Sequence, residues 1–244
     1  MGSSSTRPDY GIDAPGVVRN LFLFGVGLPI LGWFVPALHF GPVTFLTRPM
    51  TYTTGFFCFV EAVLMLLYAK VGKFRHRDRM LNTIHWKGTE TVLDVGTGRG
   101  LLMIGAAKRL TTGKSVGIDI WSAKDLSGNT MERTLRNMEL EGVRDKTEVQ
   151  NGDAIAMKFP ENSFDVILSN VCIHNIPGRA ARDQACREIV RVLKPGGKAL
   201  ISDFIHTAHY VKAFRAAGAT ASRTGFNFLF TFPWLRIVEV EKNS

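Results

Sequence analysis

The nine residues Val92-Leu93-Asp94-Val95-Gly96-Thr97-Gly98-Arg99-Gly100 constrain this chain more than any other stretch. An apolar strand interrupted by one acid runs into glycines at alternate positions. There the backbone can bend sharply and approach a ligand where a side chain would collide. Dinucleotide dehydrogenases also use a glycine turn, but their spacing is G-x-G-x-x-G. Counted from Gly96 that pattern needs glycine at Leu101, and counted from Gly98 it needs glycine at Met103. It fails both ways, and no Walker lysine follows.

Downstream, strands and helices alternate. Thr91–Val95 reads as a strand and is followed by a helix through Leu110. Ser115–Ile120 is a second strand, with a helix over Asn129–Glu141, and Thr147–Asn151 and Phe164–Ser169 are the third and fourth. A helix over Arg179–Leu193, a turn at Pro195-Gly196-Gly197 and a fifth strand, Ala199–Asp203, come next. A helix around His209–Ala217 and extended sequence ending in Arg236–Lys242 complete the chain. Strands that are apolar throughout and alternate with helices indicate a parallel sheet covered on both faces. The fold class is therefore α/β, a Rossmann-like, mostly parallel sheet, preceded by an α-helical hairpin.

That hairpin is a matter of composition. Leu21–Phe40 is twenty residues without a formal charge, enough helix to rise about 30 Å, the thickness of a bilayer's hydrocarbon core. A connector, Gly41–Met50, separates it from a second apolar run, Thr51–Ala69, broken only by Glu61. No small-residue cleavage site follows the first run, which argues against a signal peptide. The division expected is a polar segment over 1–16, two apolar helices forming a transmembrane hairpin over 17–72, and a catalytic domain over 73–244. A mid-membrane carboxylate is expensive, so Glu61 should be neutral or paired, with His39 the nearest partner by depth, or should face a polar channel.

Charge then sets orientation. The formal net charge is +9, and the densest basic run, Lys70, Lys73, Arg75, Arg77 and Arg79, directly follows the second apolar run. A basic run in that place faces anionic lipid, which argues against nucleic acid as the partner. With five bases here against Arg48 alone in the connector, the positive-inside rule puts the domain on the cytoplasmic side of a membrane. Cys58, Cys172 and Cys186 form neither a zinc pattern nor a disulfide framework, in keeping with a reducing compartment. The histidines and acids do not cluster at ligand spacing, so no metal is expected.

Two acids point at the cofactor. Asp119 ends the second strand, where a carboxylate can accept hydrogen bonds from both ribose hydroxyls of an adenosine ligand. Ile120 follows it, and Trp121 is placed to lie against the adenine. Asp153, with Ala154, follows the third strand and can accept from an adenine amino group. All sit at the carboxyl ends of successive strands, where open α/β sheets bind ligands.

With these residues in order, the chain resembles the class I S-adenosylmethionine-dependent methyltransferases over about residues 80–242. Gly96, Thr97, Gly98 and Gly100 match the family's first motif, and Asp94 its preceding acid, which the resemblance places near the cofactor's amino-acid moiety. Phe164–Asn170 matches the fourth-strand motif, bringing Asn170 to the site, and Leu193–Gly197 the turn before the fifth strand. The resemblance implies a seven-stranded sheet ending in an antiparallel hairpin strand, and S-adenosylmethionine as cofactor. Residues 162–203 are similar to quinone-ring, small-molecule and lipid-headgroup methyltransferases. An arsenite-type or protein methyltransferase, or a cofactor-binding membrane protein without catalysis, are the alternatives.

Methyl transfer asks the protein to position and desolvate a nucleophile and, where needed, to take its proton. In the loop after the fourth strand, His174 is the side chain suited to that last task near neutrality. His206 and His209 are second choices, and His206 lies close in sequence to Asp203. The membrane hairpin and the aromatic stretch Phe226–Trp234 favour a small, apolar or lipid-like acceptor: a quinone precursor, isoprenoid or lipid headgroup.

Overall fold

The computed structural model describes residues 7–243; residues 1–6 of the polar segment, and Ser244, lie outside them. Helix α1 spans Pro15–Phe34 and α2 spans Thr47–Leu67, joined by a two-stranded hairpin of β1 (Ala37–Phe40) and β2 (Val43–Leu46). The two helices pack along their length through small residues. A side chain at Gly25 would collide with the Phe59 backbone, and one at Gly55 with the Pro29 ring at 2.5 Å. Such small-residue contacts let two helix backbones approach closely.

The helix boundaries correct the sequence reading. The first helix starts six residues before Leu21 and stops at Phe34, so Ala37–Phe40 is strand, not helix. Pro36 is the cause, since it lacks an N–H and pushes Val35 out of the helical region, to φ −124° and ψ 76°. The second helix begins at Thr47 and does not stop at Ala69. It passes through one π-helical turn, Tyr68–Gly72, into α3, Lys73–Leu81. The basic run is therefore helical, and only part of it faces outward. Lys70, Arg75 and Arg79 are exposed, whereas Lys73 is buried and Arg77 pairs with Asp78 at 2.8 Å.

Behind α3 lies the sheet: β3 (Thr91–Val95), β4 (Lys114–Asp119), β5 (Thr147–Asn151), β6 (Phe164–Asn170), β7 (Leu193–Asp203), β8 (Ala219–Arg223) and β9 (Arg236–Lys242). The order across it is β5-β4-β3-β6-β7-β9-β8, with the first five parallel and β9 inserted antiparallel between β7 and β8. The seven strands match the number expected, but the sequence reading does not place β8 at Ala219–Arg223. The Pro195-Gly196-Gly197 turn survives as an irregularity within β7, where pairing jumps from Phe164–Leu193 to Val166–Lys198.

Alternate residues of each strand enter opposite cores. Leu93, Val95 and Ile167 pack with Ile189 of the helix Arg179–Val192 and with Tyr210 and Phe214 of the helix Thr207–Ala216. Val92, Val166, Leu168 and Leu200 pack on the other face with Leu102 of α4 (Leu101–Ala107) and with Met80 and Leu81 of α3. The second apolar helix thus runs without a break into a helix locked onto the sheet. Its position relative to the strand ends is set by core packing rather than by a flexible linker.

Candidate active site

The glycine bend is organised from beneath by Asp94. This carboxylate is buried, and one oxygen accepts from the Thr97 hydroxyl at 2.8 Å and from the Met103 amide, in the first turn of α4, at 2.9 Å. Burial pushes its pKa up to about 7, against the pull of those two donors. The Gly96 and Thr97 amides donate to the Ile118 carbonyl at 2.9 and 3.0 Å, tying the bend to β4. Gly96 and Gly98 have φ of 72° and 52°, the left-handed region that glycine enters without a steric penalty.

Asp119, at the end of β4, faces the bend. Its Oδ2 accepts from the Gly98 amide at 2.7 Å, and its Oδ1 accepts from the Trp121 amide at 2.6 Å and from Asn129 Nδ2 at 3.1 Å. Asp153 lines the same cavity, with Oδ1 accepting from the Ile155 amide at 3.1 Å. Gly96, Thr97, Gly98 and Arg99 of the bend line one cavity of about 1000 Å³ with Asp94, Asp119, Ile120, Asp153, Ala154 and Asn170. Gly100 does not line it: at φ 85° it caps the start of α4. That is the top of the roughly 300–1,000 Å³ usual for ligand pockets, with room for more than one small molecule.

Trp121 departs from the expectation of an adenine contact. It is not part of the lining, its φ is 61°, and its indole N–H donates to the Asn151 side chain. Ile120, 70% exposed, presents its side chain to the cavity in its place. These residues fit an adenosine ligand on their own terms: an apolar flank at Ile120 and Ala154, carboxylates at Asp119 and Asp153, and a backbone cradle that tolerates no side chain. A Cβ at Gly96 would run into Cys172, and one at Gly98 would meet Leu126 at 2.9 Å.

Beyond the bend, His174 lines the cavity and is paired. Its Nδ1 lies 3.0 Å from Asp203 Oδ1, and its backbone amide donates to Asp203 Oδ2 at 3.1 Å. Asp203 is fully buried and also accepts from the Phe204 amide at 2.9 Å and the Tyr210 hydroxyl at 3.2 Å. The Phe204 ring stands edge-on to the imidazole at 4.7 Å between centres. Asp203 therefore partners His174, 29 residues away in sequence, and not its near neighbour His206, whose ring lies beside Tyr210. His209 bonds Asp183, and neither His206 nor His209 lines the cavity.

Tyr10, Asp13, Tyr68, Lys73 and Arg99 are wall residues to which the sequence reading gave no place in the site. Tyr10 and Asp13 belong to the segment before α1, which straps across the α/β domain. Arg99, in the glycine loop itself, pairs with Asp9 at 2.5 Å; Tyr10 donates to Glu141 at 2.8 Å; the Ala14 amide donates to the Asp125 carbonyl at 2.8 Å. Lys73, almost fully buried, donates to the Tyr10 and Gly11 carbonyls at 2.7 Å each. Tyr68, in the π-helical turn, accepts from Asn170 Nδ2 at 3.2 Å. These contacts span 62 to 131 positions, and no local pattern announces them. Glu61, expected opposite His39, is not paired with it: His39 meets Thr44 at 3.0 Å within the β1–β2 hairpin, and Glu61 lines the cavity.

Comparison with known proteins agrees with this geometry. Residues 93–201 match the family model described as a methyltransferase domain. The chain is similar to the demethylmenaquinone methyltransferase of Symbiobacterium thermophilum, 32% identical over 124 residues that make up 50% of this chain and 45% of that one. It is also similar to the sterol 24-C-methyltransferase of Aspergillus fumigatus, 31% identical over 56% of this chain and 33% of that protein. The chain thus spans about half or less of the length of these relatives. Among solved structures, geranyl diphosphate methyltransferase in complex with S-adenosylmethionine superposes with a TM-score of 0.57, at 14% identity, over 72% of this chain and 88% of that one. Residues 93–201 thus match a methyltransferase-domain model, and the chain shares its fold with geranyl diphosphate methyltransferase.

Proposed function

We propose that this chain is a membrane-anchored, S-adenosylmethionine-dependent methyltransferase whose acceptor is apolar and membrane-resident: a quinone precursor, an isoprenoid or a lipid headgroup. One observation carries the reading. The cavity that holds the glycine bend and Asp119 continues, without a dividing wall, to the first turns of α1 and the last turns of α2.

Several features support the membrane part. Both helices are long and apolar enough to cross a bilayer, and only 17% and 28% of their apolar stretches are buried in the protein. Core helices of a soluble fold would be mostly covered. Phe228, Leu229 and Trp234 are exposed on the aromatic loop near the base of α2, where Arg75 lies 5.0 Å from the Phe230 ring. Aromatic rings beside bases suit the membrane interface, and the count of bases favours the domain on the cytoplasmic side. The named substrates of the two relatives, a demethylmenaquinone and a sterol, are apolar and support the acceptor class.

The cofactor supplies an electrophilic methyl group on a sulfonium, with a neutral thioether as its leaving group. This chain's residues do the rest. Asp119 and Asp153 hold the ribose and adenine ends, and the bend admits the ligand's close approach. Asp203 fixes His174 through Nδ1 and leaves Nε2 to take a proton from a hydroxyl or ring-carbon acceptor as its bond to the methyl carbon forms. Phe204, Ile176 and Phe232 keep water from that part of the cavity. The test is incubation of the full chain and membranes with a labelled methyl donor, followed by separation of lipid, protein and small-molecule fractions. Label in the lipid extract is expected; label confined to protein sinks the proposal.

A further inference from the structure

The cavity has a second half that the cofactor residues do not use. Glu61, Met65 and Tyr68 line it from α2 and the turn that follows, and Val17, Asn20 and Leu21 line it from α1. Steps of three and four residues keep side chains on one helix face, so two helix faces converge on this opening. Glu61 stands about 9 Å along the axis from the end of α2, at 1.5 Å per residue. Leu64 and Leu67, below it on α2, expose their side chains outward.

Glu61 is the sole acid of α2, and among the described residues it has no hydrogen bond or ion pair. Helix packing does not need it, since a leucine would suit an apolar helix better, and a carboxylate at this level is kept at a cost. A second acceptor waits in the same cavity. Asn170 Oδ1 is buried and unpartnered, while its amide nitrogen is held by the Tyr68 hydroxyl from the π-helical turn that follows α2. Glu61 is exposed to the cavity, whereas the Asn170 oxygen is buried, and a buried oxygen without a donor calls for a ligand that brings one. The walls around this half, Leu21, Met65, Val171, Ile176 and Phe232, are apolar.

We propose that Glu61, with Asn170, binds the polar head of the methyl acceptor. That head carries hydrogen-bond donors, hydroxyl or ammonium, at the end of an apolar tail that enters between α1 and α2. The inference rests on the membrane-methyltransferase reading and adds to it the residue that selects the acceptor.

The experiment reconstitutes full-length wild type, Glu61→Gln and Glu61→Leu in vesicles of total membrane lipid extract, with labelled methyl donor. The leucine variant should lose at least tenfold in transfer to lipid, chiefly through a raised KM for the lipid fraction, while S-adenosylmethionine affinity by calorimetry stays within twofold. Glutamine keeps an accepting oxygen. It should fall between the two for a hydroxyl head, and near the leucine variant for an ammonium head. Transfer by Glu61→Leu at the wild-type rate, or a parallel loss of cofactor affinity in both variants, overturns the assignment. A wild-type chain that labels no lipid fails at an earlier step, and that failure belongs to the methyltransferase reading instead.

Discussion

Asp119 accepts the Gly98 amide at 2.7 Å, so the acid at the end of β4 and the glycine bend after β3 form one hydrogen-bonded unit. The arrangement makes the two interdependent. Asp119→Ala leaves two buried donors, on Gly98 and Asn129, without their acceptor at about 1–3 kcal/mol each, and frees the half-buried Trp121 amide as well. Asp119→Asn keeps one oxygen and is milder. Gly98→Val forces a branched side chain to φ 52° and against Leu126. Calorimetry should find S-adenosylmethionine affinity reduced by at least a hundredfold in Asp119→Ala and in Gly98→Val. Unchanged binding in both would remove the cofactor assignment.

Asp94 makes stability depend on pH with an unusual sign. Its pKa is raised by burial to about 7, from an unfolded value near 4, so between those limits the folded chain binds more protons than the unfolded one. Its contribution to stability is therefore complete below about pH 4 and is lost as pH rises through 7, on the order of 4 kcal/mol in all. Chemical denaturation of the ligand-free chain at pH 5, 6, 7 and 8 should show this falling component, and Asp94→Asn should flatten it. A cationic ligand group near the carboxylate favours its ionised form. Cofactor binding at pH 6 should then release protons, measurable as heats that differ between buffers of different ionisation enthalpy.

What could be read from the sequence follows the range of the interactions. Strands Thr91–Val95, Thr147–Asn151 and Arg236–Lys242 were legible because strand character is local, and Asp119 and Asp153 because ligand sites follow strand ends. Ala219–Arg223 was not: it is a short edge strand of small and polar residues with only Ala219 and Ala221 buried. Glu61 drew notice as a charge in an apolar run, but only the helix packing puts it in the cavity rather than beside His39. Trp121 was expected to line the site, but its backbone is left-handed and its indole bonds Asn151 outside the lining. Asp203 sits at a strand end as the rule expects, yet sequence proximity suggested His206 where the fold supplies His174.

The His174–Asp203 pair yields a test of proton removal. If Nε2 takes a proton in the transition state, His174→Ala should lower kcat about 10²–10⁴-fold, with cofactor affinity changed less than twofold. Asp203→Asn should lower kcat less, and should also cost about 1–3 kcal/mol of stability, since a buried acceptor of four hydrogen bonds now carries an NH2. Tyr210→Phe removes one of those bonds without touching His174 and serves as the stability control. A His174→Ala enzyme with wild-type kcat would reduce the imidazole to a wall of the cavity.

Lys73 joins the strap, the hairpin and the cofactor loop, and so tests whether they act as one body. It sits one residue beyond the π-helical turn, is 3% exposed, and spends its charge on the Tyr10 and Gly11 carbonyls and, at 3.4 Å, on Asp13. Bonds from a charged donor are worth about 1.5–3 kcal/mol each, and a buried ammonium holds its place only with such partners. Lys73→Met fits the space but offers no donor. The strap then keeps Arg99–Asp9 and Tyr10–Glu141 while losing its attachment to α3. Hydrogen exchange at Ile12 and Ala14, whose amides bond Ser127 and Asp125, should rise by at least tenfold, with β3 and β6 unchanged. Because Tyr10 and Asp13 line the cavity, cofactor dissociation should quicken in step. Faster exchange without faster dissociation would make the strap a structural brace only. Unaltered exchange would mean that Arg99–Asp9 and Tyr10–Glu141 suffice to hold it without Lys73.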